Sequence, residues 1–225
     1  LRQEGTDLGI KDLRSISKPV EFKFLGALTP SQDKATKELL LHDMGLLVAP
    51  PGAGKTVMGC YAIAQRGQPA LVLAHRKPIL DQWRAQLMAL LGLKSRDIGQ
   101  VGGGRKKLRG LVDLAMIQSL SRQGDLASFF SRYGFIVVDE CHHLPAASFD
   151  ARIREAPVRY ILGLTATPYR RDGLEDMIVM QCGPVRYRMD AEDSQPVVQL
   201  IRRETEFLLP EEDSVGIQSV FQSLV

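Results

Sequence analysis

Cysteine is scarce in this sequence: three in 225 residues, Cys60, Cys141 and Cys182. An odd number with no CxxC spacing argues against a disulfide framework and against a zinc site, and suits a reducing, cytoplasmic setting. Tryptophan occurs once, at Trp83, and aromatics make up 6% of the chain. No dense aromatic interleaving marks a surface built to stack on bases. No apolar run approaches the roughly 20 residues of a membrane span. No charged start followed by an apolar core marks a signal peptide. Internal repeats and low-complexity tracts are absent too, which excludes a repeat architecture. Charge of one sign is not in excess. The net charge of +3 and pI of about 8.8 permit a polyanionic partner without demanding one.

What is present is an ordinary globular composition, 44% apolar and 24% charged. The length suffices for one well-cored domain with extensions. Residues 1–24 are weakly periodic and read as an N-terminal extension or the end of a preceding domain. Residues 25–190 read as the main domain. Residues 191–225 read as a linker, with acidic PEEDS at 210–214, and the start of a truncated second domain. The chain begins at Leu1 rather than Met and stops inside the amphipathic IQSVFQSLV. Both ends are therefore expected to be cuts out of a longer protein.

From Leu46 onward short apolar runs alternate with stretches of helical length. The runs are LLVAP (46–50), ALVLA (70–74), LVDLAM (111–116), FIVVDE (135–140) and YILGLTAT (160–167). Helix-like segments lie near 54–66, 78–91 and 145–155, and Pro78 suits a first helical turn. VRYRMD and PVVQLIRRETEFLL look like further strands. Fully apolar strands separated by helices predict an α/β fold, a doubly wound and mostly parallel sheet with helices on both faces. Ligands bind such sheets at the carboxyl ends of the strands.

One strand runs into a glycine loop. Residues Ala49, Pro50, Pro51, Gly52, Ala53, Gly54, Lys55 and Thr56 match the P-loop pattern, with Ala49 at its first glycine position. Gly52 and Gly54 let backbone N–H groups turn toward phosphate oxygens. The helix that follows adds the positive end of its dipole. Lys55 supplies a charge to the β and γ phosphates, and Thr56 a hydroxyl ligand to Mg²⁺.

A second strand, FIVV, ends in Asp139 and Glu140. A carboxylate at the tip of a buried strand is costly unless a cation meets it. In a P-loop protein that cation is Mg²⁺, held by Asp139, with Glu140 as general base for the attacking water. Alone, the pair reads rather as a solvated strand end; together with the P-loop, the metal-and-base reading wins. The neighbouring His142 and His143 point in different directions and have no ligand partner at metal spacing.

These stretches together resemble the superfamily 2 helicases of the DEAD/DEAH-box type. APPGAGKT looks like their motif I, DECH (139–142) like motif II in its DExH variant, and LTAT like motif III. LVLAHRKPILDQW (71–83) resembles motif Ia and its helix, AMIQSL (115–120) the Ib region, and VGGGRKK (101–107) the glycine-rich segment between them. The likeness covers about residues 28–170. DECHH, LTATPYRRDG and AHRKPILDQW most resemble the branch containing restriction-enzyme motor subunits and excision-repair helicases.

The resemblance implies a RecA-like P-loop NTPase lobe that binds ATP and Mg²⁺. Gln32, in LTPSQDKA, stands where the family places its adenine-reading glutamine. Thr29 and Ser31 replace the usual Arg and aromatic residue, so stacking would have to come from Phe22 or Phe24, which read equally as core. His142 would link the hydrolysis site to Thr165 and Thr167, which signal to the nucleic-acid side. That side would comprise His75, Arg76, Gly103, Arg105, Lys106 and Gln118, contacting backbone phosphates of a nucleic acid, with DNA favoured over RNA. By itself the basic stretch 94–109 reads as a solvated loop. Trp83, within an amphipathic helix, reads as core.

Such motors hold ATP between two lobes, and the second lobe brings the arginines that stabilise the transition state. No QxxGRxxR stretch occurs here, and Arg170 and Arg171 follow LTAT on the wrong lobe for that role. The chain alone is expected to bind ATP weakly and hydrolyse it poorly. One rival is a transporter-type or clamp-loader-type ATPase, which leaves Gln32 and TAT unexplained. A transporter would also need an LSGGQ-like signature, which is missing. Others are a restriction-enzyme motor that translocates on duplex DNA without unwinding, and a non-catalytic binding module.

Overall fold

The computed structural model describes residues 12, 14, 18–120, 126–143, 158–167 and 175–190. The helix expected at 145–155, the Arg170-Arg171 pair and everything after residue 190 lie outside them.

The helices start and stop where their end residues dictate. Helix α1 (Pro30–Leu40) opens on a capping box: the Thr29 hydroxyl accepts from the Gln32 amide, and the Gln32 side chain accepts from the Thr29 amide. After strand β1 (Met44–Val48), helix α2 (Lys55–Arg66) ends on left-handed Gly67. Strand β2 (Ala70–Ala74) leads into α3 (Lys77–Leu91), with Pro78 in its first turn and Gly92 as its left-handed stop. Then come β3 (Ile98–Gly102), β4 (Arg105–Lys107), β5 (Val112–Met116), and the short helices α4 (Ile117–Leu120) and α5 (Leu126–Phe130). Strands β6 (Phe135–Asp139) and β7 (Tyr160–Thr165), helix α6 (Glu175–Cys182) and strand β8 (Val185–Arg188) follow.

The eight strands form one sheet in the order β4-β3-β5-β2-β6-β7-β1-β8. Every pairing is parallel except β3 with β4. Side chains alternate across the sheet as the pleat requires. Leu47, Val72, Leu114, Val137 and Leu162 pack with α1, α2 and α3 in one core. Leu46, Leu71, Leu73, Ile136, Val138 and Ile161 pack with α4, α5 and α6 in another. Burying both faces is why these strands read as unbroken apolar runs.

One feature departs from the sequence reading. Residues 98–107 form an antiparallel hairpin rather than a basic loop, with Gly102, Gly103 and Gly104 all at positive φ in its turn. The stretch preceding α1 packs onto the domain. Val20 donates to Gly67 O and Leu25 to Leu90 O, and Phe22 and Phe24 pack against the core, Phe24 edge-on to Tyr61.

The topology places three chain segments side by side. Strands β6, β7 and β1 are neighbours, in a register that pairs Val48 with Thr165 and Asp139 with Leu164. Their carboxyl ends lead into the glycine loop, the DECH segment and the TAT segment.

Candidate active site

The loop after β1 has the shape its glycines allow. Gly52 and Gly54 take φ of 82° and 83°, a region that side chains disfavour. A Cβ on Gly54 would come within 2.5 Å of Gln32 Nε2, so this position needs glycine twice over. Gly54 is the N-cap of α2 and offers no side-chain cap. The first amides of that helix therefore point into the loop without a side-chain acceptor, the arrangement in which helix ends bind anions. The Lys55 ammonium lies 3.0 Å from Ala49 O and 3.3 Å from Pro50 O, which holds its charge inside the loop.

Opposite this loop stands Asp139, only 5% exposed. Its Oδ1 accepts the Glu140 amide at 2.9 Å, and its Oδ2 accepts the indole N–H of Trp83 at 2.7 Å. Burial raises the carboxyl above its ordinary value. The Trp83 bond, the Glu140 amide and Lys55 oppose that rise without cancelling it. A buried carboxylate whose charge is left undercompensated suits a divalent cation. Glu140 has a φ of 48°, the only positive value at a non-glycine residue among those described. Strain of this kind clusters at functional sites, and Glu140 lines the cleft.

Gly52, Gly54, Lys55, Thr56, Asp139 and Glu140 line one cleft of about 370 Å³. Amides, an ammonium and two carboxylates lining one cleft fit a nucleoside triphosphate with its cation. Gln82 and Gln86 of α3 also line the cleft. Sequence reading gave neither a role: Gln82 falls in the stretch likened to motif Ia and its helix, and Gln86 lies beyond it. Gln32 lies at its edge, with Nε2 donating to Ala53 O at 3.0 Å. This bond ties α1 to the glycine loop.

A chain of polar contacts leaves the cleft. His142 Nδ1 is 3.4 Å from Glu140 Oε2 and 2.9 Å from Thr165 Oγ1. The Thr165 hydroxyl donates to Thr167 O at 2.5 Å and lies 3.2 Å from the Thr167 amide. Glu140, His142, Thr165 and Thr167 are thus one connected set. His143 lies against both His142 and His75, its ring tilted to each, with centroids 4.1 and 4.2 Å apart. Among the described residues, no group of three or more metal-ligating side chains could hold an ion. Burial, then His143, Arg76 and His142, push the His75 pKa down.

The residues expected to face nucleic acid share the same rim. His75 and Arg76 follow β2, Gln118 follows β5, and Gly103 follows β3. Gln118 Nε2 donates to His75 O at 3.0 Å. Gly103 sits against the Lys77 stem and Gln100. Arg105 and Lys106 are exposed on β4, the edge strand. Buried Arg84 of α3 anchors this hairpin by donating to Ile98 O at 3.1 Å and Gln100 Oε1 at 3.0 Å.

Residues 26–170 match the family model of the type III restriction enzyme, res subunit. The chain belongs to this family. The fold agrees: T4 UvsW superimposes with a TM-score of 0.61 at 20% identity, over 77% of this chain and 37% of that one. A Sulfolobus solfataricus SWI2/SNF2 ATPase core in complex with dsDNA gives 0.59 at 20% identity, over 75% and 38%. The chain is also similar to a protein named DNA 3'-5' helicase XPB from Kineococcus radiotolerans, 35% identical over 166 residues. That match covers 72% of this chain and 30% of the relative. A DNA 3'-5' translocase XPB2 from Sulfurisphaera tokodaii is 29% identical over 162 residues, 72% of this chain and 36% of its own length. The chain thus spans about a third of these curated relatives. Family and fold make it a superfamily 2 N-terminal motor domain. No helix among the described residues is long and apolar enough to cross a membrane.

Proposed function

We propose that this chain is the ATP-binding lobe of an ATP-dependent nucleic-acid helicase or translocase, acting on DNA in preference to RNA. One observation carries the reading: the segments after β1 and β6 meet in a single cleft, which Lys55, Thr56, Asp139 and Glu140 all line. The helicases and translocases among its relatives support the choice of class.

Bound Mg²⁺ would supply electrostatic stabilisation of charge on the triphosphate. The chain's own residues do the rest. The amides of Gly52, Ala53 and Gly54 grip phosphate oxygens, and Lys55 adds its charge at their centre. Thr56 and Asp139 would hold the cation. Glu140 takes the proton of the attacking water. Gln32 reads adenine. His142, Thr165 and Thr167 pass the state of the cleft to the rim, where His75, Arg76, Gly103, Arg105, Lys106 and Gln118 meet the phosphate backbone. A second RecA-like lobe, expected on the same protein, brings the arginines for turnover, so this chain alone hydrolyses ATP poorly. Three free, buried cysteines fit a cytoplasmic setting.

Nucleotide titration of the wild type against Lys55→Ala tests the reading. Loss of affinity by tenfold or more in the variant is expected. Equal affinity in both would leave the cleft without its role.

A further inference from the structure

We infer that Trp83 is a positioning residue for the metal-holding carboxylate, and that its indole senses the cation's arrival. This rests on the motor reading above, in which Asp139 meets Mg²⁺.

The geometry is specific. Asp139 has two oxygens, and each receives one donor: the Glu140 amide on Oδ1 and the Trp83 indole on Oδ2. Two donors fixed in the scaffold set the plane of the carboxylate and leave its remaining lone pairs to the cleft. Indole is a donor only and carries no charge. It can hold the carboxylate still without neutralising it, as an arginine or lysine would. The full negative charge is thereby kept for a divalent cation.

The indole itself is held tightly. Trp83 is fully buried. On α2, directly beside it, stands Gly59, where a Cβ would lie 2.4 Å from Trp83 Cη2. Helix α2 therefore lacks a side chain where the ring passes beneath it. Gly59 is one turn beyond Lys55 on the helix that opens at the glycine loop. A single ring thus spans the helix that grips phosphate and the carboxylate that holds metal. Groups that orient a metal ligand from behind commonly change metal affinity by roughly 10- to 100-fold when removed.

Trp83 is the sole tryptophan of the chain, so its emission reports this one contact. With the full 225-residue chain and saturating ATP, addition of Mg²⁺ should shift the wild-type emission, and Asp139→Asn should abolish the shift. Trp83→Phe keeps the ring and deletes the donor. Equilibrium dialysis with labelled ATP should find its affinity in EDTA within about twofold of wild type. The gain in affinity on adding Mg²⁺ should shrink by about tenfold. An unchanged Mg²⁺ gain in Trp83→Phe overturns the inference, as does an equal loss with and without Mg²⁺, which marks a packing role alone. A wild-type emission indifferent to Mg²⁺ overturns it whether or not the variant folds. A wild type that binds no ATP in dialysis sinks the motor reading, and the inference with it.

Discussion

His142 Nδ1 lies 2.9 Å from Thr165 Oγ1, joining the segment after β6 to the end of β7. The Thr165 hydroxyl has one hydrogen, and it goes to Thr167 O at 2.5 Å. The imidazole must therefore donate, which puts its hydrogen on Nδ1. Thr165→Val keeps the shape and removes that acceptor. It should cost about 1–3 kcal/mol of stability by leaving buried donors unpaired, visible in thermal melts. ATP affinity should stay near wild type, because Thr165 does not line the triphosphate cleft. In the full-length protein the stimulation of ATP hydrolysis by DNA should fall by an order of magnitude or so. Unchanged stimulation would reduce the His142–Thr165 bond to scaffolding.

Gly54 offers a cleaner test of the loop. Its φ of 83° and the nearby Gln32 amide both oppose a side chain. Gly54→Ala should destabilise the fold by more than the roughly 1–2 kcal/mol of a left-handed alanine and weaken ATP binding at least tenfold. Gly104→Ala supplies the comparison, since φ is 89° there but a Cβ meets nothing within 4 Å. Only the conformational cost should appear, with ATP affinity intact. Similar losses in both variants would show that the Gln32 contact does not matter.

Much of this was legible beforehand because the informative residues are local. The parallel sheet announced itself in runs such as ALVLA and FIVV, since strands buried on both faces need no polar positions. The glycine loop was legible because few residue types tolerate its backbone. The β3–β4 hairpin was not. IGQVG has two glycines and a glutamine, and RKK is wholly exposed, so neither strand carries an apolar signal. Its anchor, Arg84, makes contacts only after α3 folds onto β3. Likewise Trp83 read as an ordinary core residue, because its bond to Asp139 joins positions 56 residues apart.

The imidazole of His75 titrates below its ordinary value of 6.5, chiefly through burial. The unfolded chain therefore takes up this proton first as pH falls. The sign is fixed by that order: stability from this residue is complete above about pH 6.5 and declines on acidification. His75→Asn should flatten the decline below about pH 6.5, measured by denaturant unfolding at a series of pH values. A curve identical to wild type would mean that burial of His75 imposes no such shift.

The exposed cations of β4 bear on polyanion binding. In the full-length protein, replacing Arg105 and Lys106 by alanine should lower the slope of log K against log salt for duplex DNA by about 2, at about 0.9 per phosphate contact. Weakening should be similar for unrelated DNA sequences. An unaltered slope would remove these two side chains from the phosphate contacts.

That same strand sets a trap for whoever removes its charge. Residues 105–107 are consecutive cations on the last strand of the sheet. An outer strand offers unpaired backbone groups to any other extended chain, and lysine or arginine along it discourages such addition. Stripping the positive side chains leaves a bare template for self-association. A variant that comes out of solution will have lost its colloidal protection, and light scattering must precede any conclusion about what it no longer binds.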